Sequence, residues 1–317
     1  MPDILFIKTS SLGDVIHHMP ALVDARRHFP QAIIAWVVEE AYAPLLRLHP
    51  AINEVFAVAS RRWRHALLSP ASWREALAFR RQLRAYEYDA VIDSQGLLRT
   101  GMIAWSARGT RHGYDAASIK ETFASHCYNV RHTVSRELHA IERNRRLSGL
   151  ALGYAPEPEV DYGLDRAALK RDAEVPYAVL VHGSAQEKKR WPEDRWVEVG
   201  RALAERNFDT VLPWGSEQEQ AVAARIAKRV PGARVARPGA LDSVAKLIAG
   251  AALVIGVDTG LSHLAAALCV PLVAIFTASE PGLTGPMGQG PIAIVGAKDA
   301  PPSAKQVIEA AARIIPA

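Results

Sequence analysis

The residues best suited to chemistry lie in polar turns that directly follow short apolar runs. One such turn is Asp258-Thr259-Gly260-Leu261-Ser262-His263, between the apolar run Leu253 to Val257 and a short helical stretch, Leu264 to Leu268. Pro271 ends that helix, and Leu272 to Phe276 follows as a second apolar run. At the carboxyl end of a strand, a helix start offers unpaired N–H groups and the positive end of a dipole. An open α/β sheet holds phosphate there. Asp258, Thr259, Gly260 and His263 therefore stand where an anionic ligand would be held, with Asp258 and Ser262 both suitable as helix caps. The same spacing also suits a structural capped turn with a surface histidine.

Other turns repeat the pattern. Lys8-Thr9-Ser10-Ser11-Leu12-Gly13-Asp14 follows the apolar run Ile4 to Ile7 and enters a helix with Val15, Ile16, Met19, Leu22 and Val23 on one face. Asp14 either complements that helix start, worth under about 1 kcal/mol, or serves as a general base. His182-Gly183-Ser184 leads to three consecutive cations, Lys188, Lys189 and Arg190, a combination suited to a diphosphate. Glu219, beyond Trp214-Gly215-Ser216, is either a first-turn helix acid or a carboxylate for ribose hydroxyls. Asp93-Ser94-Gln95-Gly96 is a further turn of this kind. Arg61-Arg62-Trp63-Arg64 can clamp phosphates bidentately and stack on a sugar or lipid edge, or form a solvated face.

These turns need strands to hold them. Ile4–Ile7, Ala32–Val38, Val55–Ala57 and Ala90–Asp93 read as strands in the first half, with helices over 72–85 and 140–152. From Ala107 to Arg146 the chain is polar, aromatic and basic, without strong period until the helix from 140, and its middle reads as a loop region that contributes to acceptor binding. Pro156, Pro158 and an acidic run to Asp172 mark a linker over 156–175. It divides a domain over 1–155 from one over 176–317. In the second half, Tyr177–His182, Thr210–Pro213, Ala233–Ala236, Leu253–Val257 and Leu272–Phe276 read as strands. Pro192 opens a helix to about Glu205, and others cover 241–249 and 303–315.

Composition narrows the class. The 317 residues are 49% hydrophobic and 22% charged, as expected of a globular chain with ample core. Cys127 and Cys269 are the two cysteines, too few for a disulfide framework or a metal cluster, so a reducing cytoplasm is expected and no metal or cofactor. Met1-Pro2-Asp3 leads straight into a strand, so no secretory leader is expected, and no apolar run approaches the roughly 20 residues that span a bilayer. Residues 61–150 hold 16 Lys+Arg against 8 Asp+Glu, an excess that suits an acidic partner. No GxGxxG follows a strand at either domain start, and neither a Walker A loop nor G-x-S-x-G occurs. Two α/β units with polar turns at the strand ends point to GT-B: two Rossmann-like domains whose parallel sheets face each other across a cleft.

KTSSLGDV (residues 8–15), the RRWR run (61–64), VIDSQGL (91–97), LPWG (212–215) and VDTGLSH (257–263) together resemble the bacterial ADP-heptose:lipopolysaccharide heptosyltransferases. The first loop and the arginine run are most similar to the type I branch. The resemblance implies transfer of heptose, with inversion, from ADP-heptose to the Kdo of Kdo2-lipid A. Asp14 is then the general base and Lys189 neutralises the leaving diphosphate, preferred over Lys188 because it stands two residues before Trp191-Pro192. Ser184, Glu219, Asp258, Thr259, Gly260, Leu261 and His263 bind the donor, with Glu219 on the ribose. Lys8, Ser10, Gly13, Arg61, Arg62, Arg64, Lys120 and Arg131 serve the acceptor. Ser184-Ala185 stands where the family often has two threonines, so one hydroxyl donor is lost. Peripheral contact with the cytoplasmic face of the inner membrane is implied, and nucleic acid is not a partner. Alternatives are another heptosyltransferase with a heptose acceptor, a nucleotide-sugar epimerase, and a binding module on the same fold.

Overall fold

Runs such as Ile4–Ile7 and Leu253–Val257 are fully buried and apolar at every position, the mark of parallel strands covered on both faces. The computed structural model describes residues 2–66, 68–170 and 175–315. The chain divides into two compact units, 1–163 and 164–317. Residues 171–174 of the expected linker lie outside the described residues.

The first unit carries β1 (Asp3–Ile7), β2 (Ile33–Glu39), β3 (Glu54–Val58), β4 (Tyr88–Asp93), β5 (Gly109–Tyr114) and β6 (Val130–His132). Its helices are α1 (Leu12–Ile16), α2 (Met19–His28), α3 (Ala43–Leu46), α4 (Ser60–His65), α5 (Pro70–Leu83), α6 (Leu98–Ser106) and α7 (Ala140–Leu152), with a 3₁₀ turn over Thr122–Cys127. Among the described residues its strands form one parallel sheet in the order β3-β2-β1-β4-β5-β6. Strand order reverses between β1 and β4, so the crevice at their carboxyl ends is the place for a ligand. The Lys8–Asp14 and Asp93–Gly96 turns flank it.

The second unit repeats the plan with β7 (Tyr177–Val181), β8 (Asp209–Leu212), β9 (Ala233–Val235), β10 (Leu253–Val257), β11 (Leu272–Ile275) and β12 (Ile292–Val295). Helices α8 (Arg166–Leu169), α9 (Glu193–Ala204), α10 (Glu217–Ala227), α11 (Leu241–Gly250), α12 (Gly260–Ala267), α13 (Pro281–Thr284) and α14 (Ala304–Ile314) connect and cover them. The order is β12-β11-β10-β7-β8-β9, which reverses between β7 and β10. The turns carrying Lys189 and Asp258 lie at that reversal. Trp191, Trp196, Leu212, Ile255, Val273 and Val307 belong to one buried core beneath α9, α10 and α14.

The structure corrects the sequence reading at several points. The middle of the stretch 107–146 is not all loop: the 3₁₀ turn and β6 lie within it, and β5 precedes them. Their period is masked because the buried residues of β5, His112, Gly113 and Tyr114, are not aliphatic and β6 has three residues. The helix expected through Val15 to Val23 is two helices, because Pro20 has no N–H to offer Ile16 and the chain restarts at Met19. Neither Asp258 nor Ser262 caps α12. Thr259 occupies the N-cap position, while Ser262 donates its hydroxyl to the Val257 carbonyl at 2.7 Å. Gly256 permits that approach, since a Cβ there would lie 2.4 Å from the Ser262 oxygen.

Candidate active site

In the second unit the chemistry centres on Asp258. Its carboxylate is buried at the end of β10, and Lys189 Nζ donates to Oδ2 at 2.6 Å. Ser279 Oγ donates to the same oxygen at 2.5 Å, and His263 Nε2 stands 3.7 Å from Oδ1. Burial alone would raise the Asp258 pKa, but His263, Lys189 and Ser279 outweigh it and hold the group well below the usual carboxylate range. Asp258 is therefore an anion that fixes a lysine at the switch point. Beside it, the hydroxyl of Thr259 is buried at the N-terminus of α12 with no hydrogen-bond partner among the described residues. A buried orphan hydroxyl at a helix N-terminus is suited to an incoming oxyanion.

The Gly183-Ser184 turn is held by its own backbone. Ser184 is buried; its Oγ accepts from Gln186 N at 3.3 Å, and its carbonyl accepts from Arg190 Nε at 3.2 Å. Lys188 is exposed and its carbonyl accepts from Thr277 Oγ1, whereas the Lys189 side chain reaches inward to Asp258. The geometry thus separates the two adjacent lysines. Glu219 N donates to Ser216 Oγ, the N-cap of α10, and Glu219 Oε2 accepts from Gly215 N at 2.8 Å. Its carboxylate lies over Gly183, where any Cβ would come within 2.5 Å of it. A cavity of about 460 Å³ opens beside Glu219, lined also by His182, Trp191 and Trp196 at the start of α9; Lys189 and Asp258 do not line it.

In the first unit Lys8 is buried at the end of β1. Its Nζ donates to the Ser94 carbonyl at 2.8 Å and to Asn144 Oδ1 at 3.4 Å. Burial lowers its pKa, opposed by the charges of Asp14 and Asp93. Gln95 Oε1 accepts the N–H groups of Thr9 and Ser10, and Arg99 donates to Ser10 Oγ at 2.6 Å. Asp14, half-buried at the third position of α1, accepts from the backbone and hydroxyl of Ser11 at 2.7 and 3.0 Å. Gly13 lies within α1 just before it. The loop is thus braced on every side with the Asp14 carboxylate fixed at the crevice. Asp93 is buried beneath, and burial raises its pKa despite bonds from Tyr128, Thr100 and two backbone N–H groups.

The remaining acceptor candidates are spread over the first unit. Arg62 on α4 is paired with Glu40 at 3.1 Å and Glu75 at 2.8 Å, and Arg61 reaches the Tyr42 hydroxyl at 3.3 Å. Arg64 lies on the same short helix. Lys120 is exposed, and Arg131 Nε donates to the Ser125 carbonyl. Four participants escaped the sequence reading: Ser279, Arg99, Asn144 and the bracing role of Gln95. Ser279 follows the carboxyl end of β11, so the rule that found Asp258 also points to it. Asn144 and Arg99 sit inside helices, where sequence carries no such signal.

The sequence profile of glycosyltransferase family 9 (heptosyltransferase) matches residues 76–312. Lipopolysaccharide heptosyltransferase 1 of Pseudomonas aeruginosa is 43% identical over 298 residues, covering 91% of this chain and 82% of that one. E. coli heptosyltransferase WaaC, solved with ADP, superposes with a TM-score of 0.91 at 37% identity over 98% of this chain and 99% of the other. The same enzyme with ADP-2-deoxy-2-fluoro heptose gives 0.86 at 37% identity, with 98% of each chain covered. Two six-stranded parallel sheets of Rossmann-like order are the GT-B class, and the chain belongs to glycosyltransferase family 9, the heptosyltransferases.

Proposed function

We propose that the protein transfers heptose from ADP-heptose to the Kdo of Kdo2-lipid A, the first heptose of the lipopolysaccharide inner core. The observation that carries this reading is the Lys189–Asp258 pair beside the orphan Thr259 hydroxyl at the N-terminus of α12. Lys189 has three N–H donors and gives one to Asp258, which leaves donors for a diphosphate oxygen. Thr259, Gly260 and Leu261 offer the helix start to the pyrophosphate, His263 and Asp258 face the sugar, Ser184 supplies one hydroxyl and Glu219 takes the ribose. In the first unit Asp14 accepts the proton of the Kdo hydroxyl as its oxygen attacks the anomeric carbon. The bond from that carbon to the β-phosphate oxygen breaks, and ADP leaves from the opposite face with inversion. Lys189 offsets the charge that grows on the leaving oxygen.

Lys8, Ser10 and Gly13 shape the acceptor loop, and Arg61, Arg62, Arg64, Lys120 and Arg131 meet the phosphates and carboxylates of the acceptor. The enzyme works at the cytoplasmic face of the inner membrane as a peripheral protein; no described helix is long and apolar enough to cross it. Mass analysis of Kdo2-lipid A after incubation with ADP-heptose tests the reading. A gain of one heptose, with release of one ADP, is expected. Loss of ADP-heptose without a heavier acceptor would overturn it.

A further inference from the structure

Helix α6 is turned inside out relative to an ordinary surface helix. Thr100, Gly101 and Ala104 are buried. Leu98, Met102 and Trp105, spaced i, i+4, i+7, are 46%, 59% and 63% exposed on the opposite face. The 3₁₀ turn Thr122–Cys127 lies against the same helix. Gly101 permits this, since a Cβ there would lie 3.0 Å from Cys127 Sγ, and the Leu98 N–H donates to Glu121 Oε2 at 2.7 Å. That turn adds Phe123, which is 80% exposed. Four large apolar side chains thus face solvent from two adjoining segments.

Cations border this surface. Arg111 Nε donates to the Cys127 carbonyl and Arg131 Nε to the Ser125 carbonyl, which clamps both guanidinium groups to the turn that carries Phe123. Lys120 is exposed three residues before Phe123. Of the other cations in this stretch, Arg99 donates to Ser10 and Arg108 is paired with Glu87, so Lys120, Arg111 and Arg131 are the ones at the turn. An aromatic and aliphatic face with Lys120, Arg111 and Arg131 on the turn beside it matches the boundary between the headgroups and acyl chains of an anionic bilayer.

We infer that the outer face of α6 with Phe123 is a docking surface for an anionic lipid bilayer. The inference deepens the proposed function, because it supplies the surface that brings the enzyme to a lipid-borne acceptor. Lys120 and Arg131, which border the patch, are also acceptor candidates, so the docked membrane and the acceptor headgroup adjoin. Leu98, Met102, Trp105 and Phe123 enter the interface while the flanking cations meet lipid phosphates. Binding therefore weakens with salt but is not abolished by it.

The test is co-sedimentation of the full chain with vesicles of equal parts phosphatidylethanolamine and phosphatidylglycerol, set against phosphatidylcholine vesicles. The wild type should bind the anionic vesicles preferentially, and the triple variant Met102→Ser/Trp105→Ser/Phe123→Ser should bind about tenfold more weakly. ADP binding, which reports the second unit, should be unchanged in the variant, as should its far-ultraviolet circular dichroism. The triple variant should raise the KM for Kdo2-lipid A embedded in vesicles about tenfold while leaving that for a deacylated, water-soluble acceptor unchanged. If neither acceptor is glycosylated, the function is wrong and the vesicle assay still decides the surface. Wild-type binding no stronger than to phosphatidylcholine, or a variant that binds within twofold of wild type, would overturn the inference. So would sedimentation velocity showing that the substitutions turn a dimer into a monomer with no vesicle binding in either form.

Discussion

Replacing Asp258 with asparagine should disable Lys189 without removing it, and a double-mutant cycle can measure how far. The pair is 2.6 Å apart, with the lysine side chain 21% and the carboxylate 7% exposed. At an effective dielectric constant of about 20 the gross attraction at that distance is roughly 6 kcal/mol. Desolvation of two charges removes several kcal/mol of it. What remains is in the range of a charge-assisted hydrogen bond, about 1.5–3 kcal/mol. Asp258→Asn keeps the shape and can still accept from Ser279, but leaves a half-buried ammonium without its counter-ion. The second unit spans residues 164–317, so a loss near 2 kcal/mol should lower its melting temperature by about 4–8 °C. The pH dependence has a definite sign. The folded pKa of Asp258 is depressed, so its contribution is complete above the unfolded value near 4 and is lost as pH falls through the folded pKa.

Activity should follow the same pair. On the proposed mechanism, a Lys189 without its anchor should lower kcat about 10²-fold, in the range for loss of one preorganised donor. Lys189→Met should do the same. The double variant should be less destabilised than the sum of the singles by about 1.5–3 kcal/mol, since neither charge is then left alone. Thermal unfolding monitored by fluorescence gives the stability terms, and ADP release in the presence of acceptor gives kcat. A coupling energy within about 0.5 kcal/mol of zero, alongside wild-type kcat in Asp258→Asn, would refute the reasoning.

Three further outcomes are expected. Asp14→Asn should lower kcat by about 10²–10⁴ while ADP-heptose affinity, measured by calorimetry, stays within a few-fold; retention of half the wild-type rate would remove Asp14 from the chemistry. Arg145 and Asp24 form a fully buried bidentate pair at 2.6 and 2.9 Å between α7 and α2, so Asp24→Ala should cost about 3–5 kcal/mol in denaturant unfolding. His49 is buried neutral, giving its Nε2–H to the Tyr162 carbonyl and accepting the Ala51 N–H, and burial lowers its pKa to about 4. Stability of the first unit should therefore fall as pH drops from about 6.5 to 4, by up to about 3 kcal/mol from this group; urea unfolding that is flat across that window would contradict it.

Much of the fold is legible because its strands are buried on both faces. Runs like Leu253–Val257 have no other reading when Gly, Asp or Pro bounds them on both sides. The parts that escape are those whose burial uses other residue types. In β5, His112, Gly113 and Tyr114 are the buried residues, and Gly113 is there because the Tyr128 ring lies within 2.2 Å of where its Cβ would be. Such a strand has no hydrophobic period to detect. Helix α6 is hidden for the opposite reason: its apolar residues point outward, so the pattern that announces a surface helix is present on the wrong side.

The site is legible to the extent that it sits where a strand ends. Topology supplies the crevice between β1 and β4, and again between β7 and β10, and polar residues at those four strand ends are candidates by position alone. Position does not say which polar atoms are already taken. The arginine run has the composition of a phosphate clamp, yet Arg62 is held by Glu40 and Glu75 on an exposed surface, where solvent screens such pairs and each contributes little. That pairing is cheap to break, so it leaves Arg62 able to exchange its carboxylates for an acceptor phosphate. Lys189 is different. Its buried partner is itself held by Ser279 and His263, so the ammonium is positioned before any ligand arrives. In the proposed mechanism this cation meets charge that develops only in the transition state; such a cation is best fixed beforehand, and the bond to Asp258 fixes it.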